Sequence, residues 1–177
     1  LRFIAFDLEL TCEQDAQNYP HQIIEIGAVL FEDDELISEF QSFVQPLPPY
    51  QVTPFCTTLT GISATQISTA PHIQQAAARF SQFIVASKPQ IVISWGQSDY
   101  RILSAECVAA GIASTLNGVQ YQNVKQAFCK QRKIKHVGLK TALQICGISA
   151  LGRQHSAVAD ATNLARLYSF MASVKEQ

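Results

Sequence analysis

Asp7 and Glu9 stand two residues apart in Phe6-Asp7-Leu8-Glu9-Leu10-Thr11, directly after the apolar opening Phe3-Ile4-Ala5-Phe6. Side chains alternate along a strand, so residues i and i+2 point to the same side. Two carboxylates would then project together from a hydrophobic sheet. They repel unless a cation lies between them, and oxygen ligands suit a hard cation such as Mg²⁺ or Mn²⁺. The pair alone fits two solvated acids on a strand face equally well. Asp99 follows a short β-branched run, and Asp160 falls in the first turn of the last helical segment. A helix N-terminus favours negative charge, which by itself accounts for both acids. His155 precedes Asp160 by five residues, a spacing that puts the two on different faces of a continuous helix. It is therefore expected on the loop before that helix, free to reach a site containing Asp160. Histidine can take a proton from water near neutral pH. His21, His72 and His136 lack such neighbours and read as surface or core residues.

The elements that must position these groups follow from the apolar pattern. Strands are expected over about Phe3–Leu8, Gln22–Phe31 and Glu35–Val44, with Asp33-Asp34 as a hairpin turn between the second and third. Ile23–Leu30 is nearly continuous apolar sequence, as in a central strand buried on both faces. Glu25 within it fits a hydrogen-bonded structural role better than a further metal ligand. Pro46, Pro48 and Pro49 mark an extended loop. Thr53-Pro54 opens a short helix that Gly61 ends, and Ser63 to Gln66 has the form of a capping box. A longer helix from about Pro71 buries Ile73, Ala77, Phe80 and Ile84. Gln90–Trp95 reads as a fourth strand, with Ser98 capping the next helix, Asp99 at its first position and Gly111 at its end. Helices are expected over about Gln120–Gln131, Leu139–Cys146 and Ala157–Val174. Three strands, a helix, a strand and further helices make a mixed α/β order.

A chain of 177 residues, 47% hydrophobic and 15% charged, has apolar material for one domain with a sizeable core, taken as 1–177. No apolar run reaches the length of a membrane span, so no membrane role is expected. The five cysteines are scattered without a C-x-x-C pair, which points to neither a zinc site nor a disulfide framework. Reduced thiols suggest a cytoplasmic protein. The net charge of −1 hides an asymmetry. Ten of the 14 acids lie between Asp7 and Glu39. None lies between Glu106 and Asp160, where Lys125, Lys130, Arg132, Lys133, Lys135, Lys140 and Arg153 fall. Such a block can steer a polyanion, or can be a solvated face.

Three blocks, Phe6-Asp7-Leu8-Glu9, Gly96-Gln97-Ser98-Asp99 and His155-Ser156-Ala157-Val158-Ala159-Asp160, resemble in order and spacing the motifs of the DEDDh 3′-to-5′ exonucleases. Thr11-Cys12-Glu13, Ile23-Ile24-Glu25, Phe55-Cys56 and Leu59-Thr60-Gly61-Ile62 resemble the branch containing the histone-mRNA 3′ exonuclease and its RNA-interference relatives. The resemblance implies a ribonuclease H-like fold, a five-stranded mixed sheet flanked by α-helices. It implies that Asp7, Glu9, Asp99 and Asp160 hold two divalent ions, Mg²⁺ or Mn²⁺, and that His155 is the general base. Phosphodiester hydrolysis needs an activated water and a clamp on the attacking and leaving oxygens, which such ions provide. The implied substrate is single-stranded RNA, or DNA, with a free 3′ end, and RNA is favoured. Leu10, Phe55 and Leu59 match positions that grip the terminal nucleotide. Phe55 offers a stacking face, or else packs its helix on the core. With no appended RNA-binding domain recognised, targeting is expected to rest on a protein partner. A DNA-trimming enzyme and a non-catalytic nucleic-acid-binding domain are the rival readings. Clustered repulsive acids weigh against the second. Three departures stand out: Ser98 where many relatives have tryptophan, and Ala157 and Ala159 where glycine and a second acid are common. Trp95, expected within the strand, does not take the tryptophan's role.

Overall fold

The computed structural model describes residues 1–14, 19 and 21–173. Strands β1 (Arg2–Leu10), β2 (Ile23–Glu32) and β3 (Glu35–Phe43) come first. Helices α1 (Pro54–Thr60), α2 (Ala64–Ser68) and α3 (Ile73–Ser87) follow. Then β4 (Ile91–Ser94) leads into α4 (Gln97–Ala109), and β5 (Tyr121–Asn123) into α5 (Val124–Arg132). Helices α6 (Leu139–Ile145) and α7 (Ala157–Ser173) come last. The sheet order is β3-β2-β1-β4-β5. The first three strands pair antiparallel, and β4 and β5 run parallel to β1. This is the five-stranded mixed sheet the motifs imply.

Strand parity divides the core into two layers. On β1, Ile4, Phe6 and Leu8 pack with Ala77, Phe80 and Leu103 of α3 and α4. Phe3 and Ala5 pack instead with Ala161, Leu164 and Leu167 of α7. Asp7 and Glu9 share the parity of Phe3 and Ala5, so the sheet's alternation directs them to the α7 side. All of β2 but its last residue is buried, as its continuous apolar sequence predicts for a strand covered on both faces. The hairpin turns at Asp33 and Asp34, both with positive φ, the geometry of a tight two-residue connection. The stripe Ile73, Ala77, Phe80 and Ile84 is buried along α3.

Three boundaries differ from the sequence reading. Residues 121–123 form a short strand rather than the first turn of a helix, and Asn123 caps α5 by accepting from the Gln126 N–H at 3.2 Å. Helix α4 is capped by Gly96, not Ser98, which puts Asp99 at its third position. Trp95 stands one residue beyond β4. The expected end of the last helix at Val174 lies outside the described residues. No helix among the described residues is long and apolar enough to cross a membrane.

Candidate active site

The site begins where a neighbouring strand stops. β1 pairs with β4 only through Phe3–Ala5, opposite Ile91–Ile93. The second half of β1 therefore runs past the end of β4, into the crevice where open α/β sheets place their ligands. Asp7 and Glu9 project from that half. Asp99 comes from the first turn of α4, just after β4, and Asp160 from the first turn of α7.

Helix α7 reaches the sheet through a glycine and an acid on β2. Gly27 lies opposite Asp7 and Glu25 opposite Glu9 in the β1–β2 register. A Cβ on Gly27 would fall 2.3 Å from the Ala157 carbonyl carbon and the Val158 nitrogen. Only the bare backbone allows so close an approach. Glu25 is 2% exposed and accepts from the Ala157 N–H at 3.1 Å and from the Gln41 side chain at 2.6 Å. The carboxylate satisfies an otherwise orphan donor at the helix start. Its role is structural, as its place in the buried run indicates.

His155 lies on the turn before α7, with φ of 61°. Its backbone N–H donates to Asp160 Oδ2 at 3.0 Å. Glu9, His155 and Asp160 each offer a ligand atom within 4.8 Å of the others. Asp7, Glu9, His155 and Asp160 line a cavity of about 530 Å³, with Trp95, Leu139, Leu143 and Leu151 as its apolar wall. Asp99 adjoins the cluster electrostatically: its charge helps raise the pKa of Asp7 and of Glu9. Leu10, Phe55 and Leu59 do not line the cavity. Leu10 packs at the margin of the α3–α4 core, and Phe55 and Leu59 are half-buried on α1.

Burial and mutual repulsion hold the acids towards their protonated forms. Asp7 is driven well above the ordinary carboxylate range by burial, then by Asp99, Glu9 and Asp160. Burial first, with Asp160, Glu25 and Asp99, lifts Glu9 to about 8. Burial takes Asp99 to about 6, although the Gly96 N–H and Lys125 pull it back. Asp160 is raised by burial and partly relieved by His155. Among the described residues, no lysine or arginine forms an ion pair with any of the four. Oxygen donors at this density, not neutralised by a direct ion pair, fit a hard divalent cation.

Several contributors do not stand out in the sequence. Gly27 has a readable signal, since a glycine inside an apolar strand marks close backbone approach. Asn163 accepts from the Leu151 N–H and donates to the Leu151 carbonyl, both at 2.9 Å, holding the loop before His155. Nothing local in the sequence announces that pairing. Trp95, 8% exposed, forms part of the cavity wall and donates Nε1–H to the Val137 carbonyl at 3.3 Å. The departures at 157 and 159 are in close contact. Ala157 meets Gly27, and a Cβ on Gly152 would lie 2.9 Å from Ala159 Cβ.

Sheet order and acid-lined crevice together define a ribonuclease H-like domain. The chain belongs to the exonuclease family of the RNase T type, whose model matches residues 4–168. ERI1 exoribonuclease 3 of Homo sapiens is 28% identical over 184 residues, covering 96% of this chain and 53% of the relative. ERI1 exoribonuclease 2 of Danio rerio is 30% identical over 189 residues, covering 93% and 34%. The chain thus spans about half or less of the curated relatives it matches. The nuclease domain of 3′hExo, a DEDDh family member bound to rAMP, superposes with a TM-score of 0.89 at 23% identity. That match covers 98% of this chain and 92% of the other. Cell-death related nuclease 4 shares the fold with a TM-score of 0.83 at 21% identity, covering 98% and 64%.

Proposed function

We propose that this chain is a metal-dependent 3′-to-5′ exonuclease that trims single-stranded RNA to nucleoside 5′-monophosphates, with two divalent ions and a histidine base. The reading rests on one juxtaposition: Glu9, Asp160 and His155 ligand atoms within 4.8 Å, on a cavity that Asp7 also lines. Asp7, Glu9, Asp99 and Asp160 would hold Mg²⁺ or Mn²⁺. Bound ions of this kind supply Lewis acidity, making water a better nucleophile and offsetting charge on the phosphoryl oxygens. His155, on a loop rather than inside the helix, takes the proton from the attacking water through a ring nitrogen. The first turns of α4 and α7 keep Asp99 and Asp160 rigid, and β1 does the same for Asp7 and Glu9. Phe55 and Leu59, one turn apart on α1, would meet the terminal nucleotide together with Leu10.

RNA is favoured over DNA because the curated relatives carry exoribonuclease names. Five free thiols agree with a reducing compartment, and we place the protein in the cytoplasm. Its natural RNA would be reached through a protein partner. The test is a 5′-labelled oligoribonucleotide incubated with Mg²⁺ or Mn²⁺, beside matched DNA and a circular strand. Stepwise shortening from the 3′ end, with the circle intact, is the expected result. Cutting of the circle would refute an exonuclease. Preference for DNA would move the reading to DNA trimming, and binding without cleavage would make the domain non-catalytic.

A further inference from the structure

The loop between α6 and α7 contributes Ala150, Leu151, Gly152, Gln154 and His155 to the cavity wall, whereas Arg153 turns out of it. Arg153 Nη2 donates to the carbonyls of Thr58 and Leu59 at 2.9 and 3.4 Å, at the C-terminal end of α1. Carbonyls in the last turn of a helix lack intrahelical partners, and a cation there complements the dipole. The two N–H bonds of one Nη2 group serve both carbonyls, and the delocalised guanidinium keeps its charge at the helix end.

The seat for this arginine is built into α1. Gly61 ends the helix with φ of 77°, and a Cβ there would lie 1.9 Å from Arg153 Nη1 and 2.8 Å from Cζ. The guanidinium therefore lies directly on the glycine backbone. Two residues further on, His155 holds a left-handed φ of 61°, a conformation that non-glycine residues keep only when their surroundings enforce it. One restraint is its N–H bond to Asp160. A second lies at Leu151, clasped by Asn163. Arg153 supplies the third, between them, and it points to the helix that carries Phe55 and Leu59.

We infer that Arg153 is a positioning residue, tying the His155 loop to α1 so that the base and the nucleotide-gripping helix keep a fixed spacing. This rests on the exonuclease reading above. The test combines trimming kinetics of an oligoribonucleotide in Mn²⁺ with hydrogen exchange of the 150–156 amides, which needs no substrate. Arg153→Ala should lower kcat by about tenfold to hundredfold, the scale of a misplaced catalytic group. In a His155→Ala background the same change should lower kcat no further, because there is no base left to position. Gly61→Ala fills the seat and also strains a backbone at φ of 77°, so it should lose at least as much as Arg153→Ala, and the double variant Gly61→Ala/Arg153→Ala should be no worse than Gly61→Ala alone. Exchange of the 150–156 amides should rise about tenfold or more in both single variants. A wild type that trims nothing, with exchange still rising in the variants, would overturn the exonuclease reading and leave the tether standing. An active wild type with kcat unchanged in Arg153→Ala, or with equal losses in the presence and absence of His155, would overturn the positioning role.

Discussion

The N–H of Ala157 donates to Oε2 of Glu25 at 3.1 Å, so the helix carrying Asp160 is moored to the strand that faces Asp7 and Glu9. The other carboxylate oxygen takes the Gln41 amide. Glu25→Leu removes the acceptor and leaves the buried Ala157 N–H without a partner, while the exposed Gln41 amide can turn to water. The loss should be about 1–3 kcal/mol of stability, the usual cost of an unsatisfied buried group. Denaturant unfolding of the metal-free protein measures it, and an unchanged midpoint would mean that Glu25 does not moor α7.

Gly27→Ala should be at least as damaging. Its new Cβ would meet backbone atoms, which cannot swing aside as a side chain can. Overpacking of this kind costs about 1–3 kcal/mol. Because α7 must move, nuclease activity should fall even at temperatures where the variant stays folded. Full activity in a folded Gly27→Ala protein would contradict the close approach.

Metal-free stability should decline with rising pH. Glu9 is raised from 4.5 to about 8 and Asp99 from 3.8 to about 6. The folded protein thus holds protons that the unfolded chain has released. The contribution is fully present below the unfolded values, near pH ~4, and is lost as pH passes the two folded values. Glu106, lifted by burial to about 7, acts with the same sign outside the acid cluster. Melting temperatures in chelator from pH 5 to pH 8.5 should therefore fall, and Glu9→Gln should flatten the upper part of the slope. A flat wild-type profile would remove the repulsive cluster from the account.

Divalent ions should reverse that penalty. Binding only to the folded state stabilises by about 2.7 kcal/mol at a hundredfold excess over Kd. Asp7→Asn should raise the melting temperature of the metal-free protein, shrink its response to Mn²⁺ and abolish activity. A variant that responds to Mn²⁺ like the wild type would exclude Asp7 as a ligand.

The exposed lysines 130, 133 and 135 should contribute affinity without sequence preference. Neutralising all three should weaken RNA binding and flatten the dependence of log K on log salt by about 0.7 for each phosphate no longer neutralised. Arg132 is the weaker choice for this test, since it already engages Cys146 Sγ and lies 5.8 Å from the Phe128 ring centroid. An unchanged slope would make the segment ordinary surface.

Much of this architecture is legible in the residues, and what is not has a physical reason. Long apolar runs announce β1 and β2, and the Asp7–Glu9 spacing announces a shared face, because period and burial are local signals. Tyr121–Asn123 is too short and too polar to read as a strand, and its pairing with Val92–Ser94 is a tertiary fact. Gly96 displaces Ser98 as the cap because α4 starts immediately after the strand turn, not where the best capping side chain stands. Helical spacing separates His155 from Asp160 on any continuous helix, so a histidine sharing the site of Asp160 is expected on the loop before it. The partners that hold that loop, Asn163 and the end of α1, meet it only in three dimensions.

The Glu25–Ala157 bond joins residues 132 positions apart. Contacts at such separation form late, after the loop-closure entropy has been overcome. During synthesis the first half of the chain can pair β1, β2 and β3, but nothing yet supplies Asp160 or His155. A nascent domain of this design would carry only part of its acid cluster until the last helix emerges. Hydrolytic competence would arrive in one step, at the end, when α7 settles onto Gly27.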